Sequence, residues 1–170
     1  MIAQGVERAQ VHDLESAERT LASAISCPGG AALRELAGVR VLQRRWPEAA
    51  ELAEAALARE PSDAYASRIL ATARFVINDE GGALDAWNRV GEPRIDLVRI
   101  DGLTHTREAI VEHAIGLQTG AMLTADALGR ARRRLADFPA ASGRVSFVPL
   151  PGGLAEVRAA VSEDPGVRRS

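Results

Sequence analysis

Apolar residues recur at helical spacing through the first half of the chain. These residues are Leu33, Leu36, Ala37 and Val41 in one stretch, and Ala49, Leu52, Ala53, Ala56 and Leu57 in the next. Helix-favouring Ala, Leu, Glu and Arg predominate, and runs of β-branched residues are nearly absent. Helix breakers are expected at Pro28–Gly30, Pro61–Asp63 and Gly81–Gly82. Either Asp63 or Ser62 is expected to cap a helix that begins near Ala64.

The last third of the chain predicts strand, helix, helix, strand and strand in turn. Its first strand runs from Ile95 to Asp101, with Val98, Ile100 and Gly102 on one face. A helix over residues 106 to 117 is expected to turn Ile110, Ala114 and Leu117 inward. Thr124 is expected to cap a second helix, whose inward residues are Leu128, Ala131 and Leu135.

Two alternating strands are expected to close this unit. The predicted segments are a loop at Pro139–Gly143, a strand at Val145–Val148, a hairpin turn at Pro149–Gly153 and a strand at Leu154–Val161. Helices followed by this mixed segment predict an α+β protein. We expect a helical domain over residues 1–92 and a small α+β domain over residues 93–170, joined at Gly91-Glu92-Pro93.

Charge argues against nucleic acid as a partner. The net charge is −2, from 21 Arg and 23 acidic residues with no Lys. Residues 1–92 hold 10 Arg and 14 acids, or −4, and residues 93–170 hold 11 Arg and 9 acids, or +2. Neither half has the strongly basic balance of a nucleic-acid binder. No apolar run has the length of a membrane-spanning helix, and the lone Cys27 is interpreted as structural.

No pattern of residues predicts catalysis, a metal site or a cofactor. The histidines are His12, His105 and His113, and none has the spacing of a helical zinc motif. The acid pairs Asp79-Glu80 and Glu163-Asp164 fall at predicted turns, where nothing would raise the pKa of a carboxyl group. We therefore expect a protein that is not an enzyme, and an enzyme of unrecognised type is the alternative.

A shift of 34 residues superimposes Leu36 and Ala37 on Leu70 and Ala71, and Ala49 on Ala83. That period and those residue types resemble the tetratricopeptide repeat (TPR), a pair of antiparallel helices. The further matching positions are Trp46, Ala56, Pro61 and Trp87, with a departure at Val90 and a weaker unit over residues 9–26. A plain helical bundle with accidental spacing is the alternative.

The order of elements in the last third resembles the polypeptide-transport-associated (POTRA) domain of outer-membrane barrel-assembly and secretion proteins. The matching features are Val98–Gly102 with Thr104, Leu117 through Gly120 to Leu123-Thr124, Leu128, Leu135, and the closing Val161, Glu163 and Pro165. The resemblance implies a periplasmic scaffold, associated with the outer membrane in its parent protein. Its partners would be unfolded outer-membrane clients or assembly-complex subunits. A cytoplasmic TPR-type adaptor is the alternative.

The same resemblance implies that an edge strand receives partner chains by adding a strand to the sheet. We expect that edge at Val145–Leu150, with Val145, Phe147, Val148 and Leu150 as contacts. The flanking Pro149 and Pro151 suit an edge, although they would also simply block aggregation. The basic run Arg130, Arg132, Arg133 and Arg134 is either a solvated face or a contact for an acidic partner.

Overall fold

A computed structural model describes residues 14–26, 29–139 and 141–163 of the chain. It divides into two compact units, Met1–Val90 and Gly91–Ser170. Helices come first and a three-stranded mixed sheet lies near the C-terminus, which confirms the α+β class. His12, Cys27 and Pro165 lie outside the described residues.

The first unit consists of consecutive helices that pack on one another. Within its described residues these are α1 (Leu14–Ala22), α2 (Ala31–Leu42), α3 (Trp46–Arg59), α4 (Ala64–Val76) and α5 (Glu80–Asn88). Each helix contacts the next, and α2 also contacts α4. Ala37, Ala49, Ala53 and Ala56 are fully buried where these helices meet. Their small side chains allow the helix axes to approach closely.

Two predicted helix boundaries have different outcomes. Asp63 caps α4, because its carboxylate accepts hydrogen bonds from the backbone N–H groups of Tyr65 (3.0 Å) and Ala66 (2.9 Å). The break predicted at Gly81–Gly82 is wrong, since both glycines lie in the first turn of α5. Asp79 caps this helix by accepting from Gly82 N–H at 3.0 Å, and a Cβ on Gly82 would collide with that carboxylate. The glycine therefore makes room for the cap.

An ionic cluster centred on Arg40 connects three helices of this unit. Arg40 is only 8% exposed, and its guanidinium donates to Glu18 of α1 at 2.7 Å. Its Nε lies 3.1 Å from the Glu48 carboxylate of α3. Hydrogen bonds from Arg40 and then Gln43 lower the pKa of Glu18 to about 2. Glu18 thus remains ionised opposite Arg40 at neutral pH.

The second unit is a sheet of three strands with two helices on one face. Its elements are β1 (Arg94–Asp101), α6 (Glu108–Ile115), α7 (Ala125–Ala136), β2 (Ala141–Leu150) and β3 (Leu154–Glu163). The strand order is β1-β3-β2, with β3 parallel to β1 and antiparallel to β2. Among the strands of the described residues, β1 and β2 are therefore the edges.

The hairpin strands are longer than predicted. Ala141 pairs with Glu163 and Pro149 with Ala155, so most of the predicted loop and part of the predicted turn belong to β2. Pairing with β3 outweighs the local turn signals there, because a proline at an edge need not supply a ladder hydrogen bond. The turn itself contains residues 151 to 153.

The core between helices and sheet matches one predicted helix face and corrects the other. Leu128, Ala131 and Leu135 of α7 are buried, as predicted. Of the three residues predicted to face inward in the other helix, Leu117 is buried just beyond α6 and Ala114 is half-buried. Ile110, however, is 52% exposed, whereas Val111 and Ile115 are buried. Val111 and Ile115 are four residues apart and form the core-facing stripe of this short helix. Within α6 the predicted face was therefore displaced by one residue, which is about 100° around a helix.

Candidate functional site

The backbone of β2 alternates between the sheet interior and the outer edge. The Arg94 N–H group donates to the Gly153 carbonyl at 2.9 Å across the parallel pair. The odd-numbered residues of β3 therefore direct their main-chain N–H and C=O groups toward β1. The even-numbered residues of β3 consequently pair with β2. Val145 and Pro149 direct their main-chain groups outward, while Val148 directs its own toward β3. Along the predicted binding segment, only every second residue therefore offers its main-chain groups at the outer edge.

The four predicted contact residues on β2 divide between two faces. Val145 and Phe147 are buried beneath the helices, and Val148 and Leu150 are half-buried on the opposite face. Arg132 Nε of α7 donates to the Val145 carbonyl at 2.8 Å and so covers the edge at that point. A partner strand could meet the side chains of Val148 and Leu150, but only the backbone of Val145.

The opposite edge, β1, is closed at its beginning by the segment that precedes α7. Ile95 N–H donates to Ala121 C=O at 2.8 Å, and Gly120 N–H donates to Ile95 C=O at 2.7 Å. Met122 forms an isolated antiparallel bridge with Arg94. Beyond Ile95 no described strand pairs with the outer side of β1. Residues 120–123 show no strand periodicity, so sequence reasoning missed this closure.

The four arginines of the basic run are all exposed, but they have different surroundings. Arg132 reaches the Val145 carbonyl on β2, as described above. Arg134 lies over Gly116 and lines an open cleft of about 620 Å³ between α6 and α7, together with Glu112 and His113. The side chains of the run therefore contact at least two separate parts of the second unit.

A second cleft, of about 430 Å³, lies in the helical unit between α2 and α4. Its apolar lining includes Val41, Leu42, Tyr65 and Ile69, and Glu35 and Arg68 contribute charge. Leu42 is 57% exposed and Tyr65 is 49% exposed, and both line this one cleft, so they form an exposed apolar patch there. Sequence periodicity predicted the helices but not which apolar residues stay uncovered, because that depends on the neighbouring helix.

Glu163 organises the loop that follows β1. It lies at the end of β3 rather than in a turn, and its carboxylate accepts from the backbone N–H groups of Thr104 (3.1 Å), His105 (2.9 Å) and Thr106 (2.8 Å). The Thr104 hydroxyl donates to it as well. These hydrogen bonds, the one from the Thr104 side chain above all, hold the pKa of Glu163 far below its ordinary range. The arrangement favours a carboxylate that stays charged.

Among the described residues, no group of three or more His, Cys, Asp and Glu side chains is arranged to hold a metal ion. None of the helices in the same part of the chain is long and apolar enough to span a membrane. The sequence matches no protein-family model and no curated protein. The fold alone defines the structural class of this protein. It is an α+β protein in which helices come first and a three-stranded mixed sheet lies near the C-terminus.

Proposed function

We propose that this protein is a scaffold that binds segments of other proteins without catalysing a reaction. The observation that carries the proposal is the apolar cleft between α2 and α4, where Leu42 and Tyr65 are about half exposed. Exposed apolar side chains gathered in a concave cleft favour a ligand with apolar side chains of its own. Glu35 and Arg68 in the lining would orient such a ligand.

The helical unit is proposed to be TPR-like. Support comes from the successive contacts of α2 to α5, the α2–α4 contact, and the buried alanines at the helix crossings. In such an array the first helices of successive pairs face a common groove. The cleft between α2 and α4 has that position.

The sheet unit is proposed to be POTRA-like, with β2 as a second binding surface. Support comes from the element order, from the edge position of β2, and from the half-buried Val148 and Leu150 beside that edge. We further propose the periplasm and an outer-membrane assembly or secretion complex as its setting. Recovery of the parent protein from the cytoplasmic fraction of its host would contradict that setting and favour the adaptor.

The cleft can be tested with a displayed library of short random peptides. We expect the protein to select peptides with apolar residues, and we expect Leu42→Asp to abolish their binding in calorimetry. Ile77→Asp is the matched control, because Ile77 is also exposed (42%) and follows the end of a helix, but does not line the cleft. Failure to select peptides, or equal loss in both variants, would reject the cleft as the binding site.

A further inference from the structure

We propose that the open half of β1, residues 97 to 101, pairs with the same strand of a second copy of this chain. The sheet order makes β1 an edge, and residues 120 to 123 close only its beginning. Past the irregularity between Ile95 and Leu97, the register with β3 directs the main-chain groups of Val98 and Ile100 outward. A strand can therefore be added along the second half of β1.

The charges on this half-strand are complementary to themselves. Arg99 and Asp101 are both exposed on the sheet face that the helices leave open, two residues apart with Ile100 between them. If Ile100 lies opposite Ile100 of an antiparallel second copy, each Arg99 lies opposite an Asp101. Opposite charges placed directly across a strand pair stabilise it, and like charges destabilise it.

Charge also selects this register over its neighbours. Outward-facing residues must meet outward-facing residues, so the next available registers place either Arg99 opposite Arg99 or Asp101 opposite Asp101. Both alternatives oppose like charges. The strand thus specifies one alignment with its own copy.

Apolar contacts favour the same arrangement. Val98 and Ile100 are only half-buried on the helix side of β1, and Leu97 is 45% exposed on the other. The proposed pair would bring the two Ile100 side chains together at the symmetry axis. On the other edge, β2 carries Arg144 as its one charged residue and has no such self-complementary pair. The inference concerns β1 alone and does not depend on the proposed peptide binding.

A charge-reversal experiment tests the pairing. Sedimentation equilibrium should show a reversible dimer of the wild type. Asp101→Arg and Arg99→Asp should each raise the dimer dissociation constant by roughly tenfold or more, because both complementary pairs become like-charged. An equimolar mixture of the two variants should restore the dimer, since positive side chains of one variant then face negative side chains of the other.

The controls separate pairing from folding. Arg99 also lies 3.5 Å from Glu156 within its own chain, so the thermal unfolding of each variant must be compared with that of the wild type. The double variant Arg99→Asp/Asp101→Arg keeps self-complementarity and should dimerise, whereas Arg144→Asp on β2 should leave the dimer unchanged. A wild type that stays monomeric at all concentrations would overturn the proposal. So would single variants that dimerise like the wild type, or a mixture that stays monomeric.

Discussion

The two edges of the sheet are protected in different ways. A side chain covers β2, through the hydrogen bond from Arg132 to the Val145 carbonyl, and Pro149 contributes no N–H group. Main chain covers β1, through the backbone bonds between Ile95 and the segment 120–121. Side-chain cover can move aside when a partner arrives, whereas two backbone bonds in a connecting segment are a more permanent closure.

The difference also extends to charge. Apolar and charged residues alternate from Val98 to Asp101 in the open part of β1, while β2 is almost uncharged over its ten residues. An edge with alternating charge discriminates among registers and partners, and an uncharged edge accepts a wider range of strands. We therefore propose that this one small sheet carries a selective edge at β1 and a permissive edge at β2.

The largest expected effect comes from a substitution at the C-terminal end of β1, where the chain passes close to β3. Gly102 has φ +91°, and a Cβ there would collide with the Val161 carbonyl of β3. Gly102→Ala should lower the free energy of unfolding by about 2–4 kcal/mol through strain and overpacking. Gly120→Ala is the matched control, since its φ is +84° but its Cβ would meet nothing. Urea unfolding should show the smaller loss for Gly120→Ala, and equal losses would contradict the role of the collision.

A smaller effect is expected from the loop after β1. Glu163→Ala should destabilise the second unit, because the N–H groups of Thr104, His105 and Thr106 lose their acceptor. The pKa of Glu163 is lowered in the folded state, so its stabilising contribution is complete above its unfolded value near 4.5 and falls away below it. Thermal unfolding should therefore separate wild type from variant at pH 7 and bring them together in acid. A gap that stays constant with pH would show that the carboxylate charge is not responsible.

The smallest expected effect concerns the side chain that covers the β2 edge, and it tests how the protection of β2 differs from that of β1. Arg132→Ala removes the donor from the Val145 carbonyl and should cost about 1 kcal/mol, a reduced value for an exposed charged hydrogen bond. Arg130→Ala on the same helix should stay within about 0.5 kcal/mol of wild type. Chemical unfolding of both variants checks the pair. Indistinguishable values would mean that Arg132 does not protect β2.

Much of the second unit was predictable because its signals are local. Thr124 caps α7 by accepting from Ala127 N–H at 3.1 Å, and the buried stripe of that helix follows from its spacing. The predicted alternation of the last strand agrees with β3, where every second residue from Ala155 to Val161 is buried. Boundaries were less accurate. Gly81–Gly82 lie inside α5 because the neighbouring Asp79 caps that helix, and Pro149 lies inside β2 because it pairs with β3.

The sequence by itself determined the α+β class, the order of elements and most of the inward-facing residues, since helical and strand periodicities are properties of neighbouring residues. Only the tertiary structure decided which strands are edges, how each edge is protected, and which apolar side chains of α2 and α4 remain uncovered. Those features depend on pairs of residues far apart in the chain, such as Ile95 with Ala121 and Arg132 with Val145. The periodicity of neighbouring residues does not specify these contacts, because they form only when the helices and strands pack together.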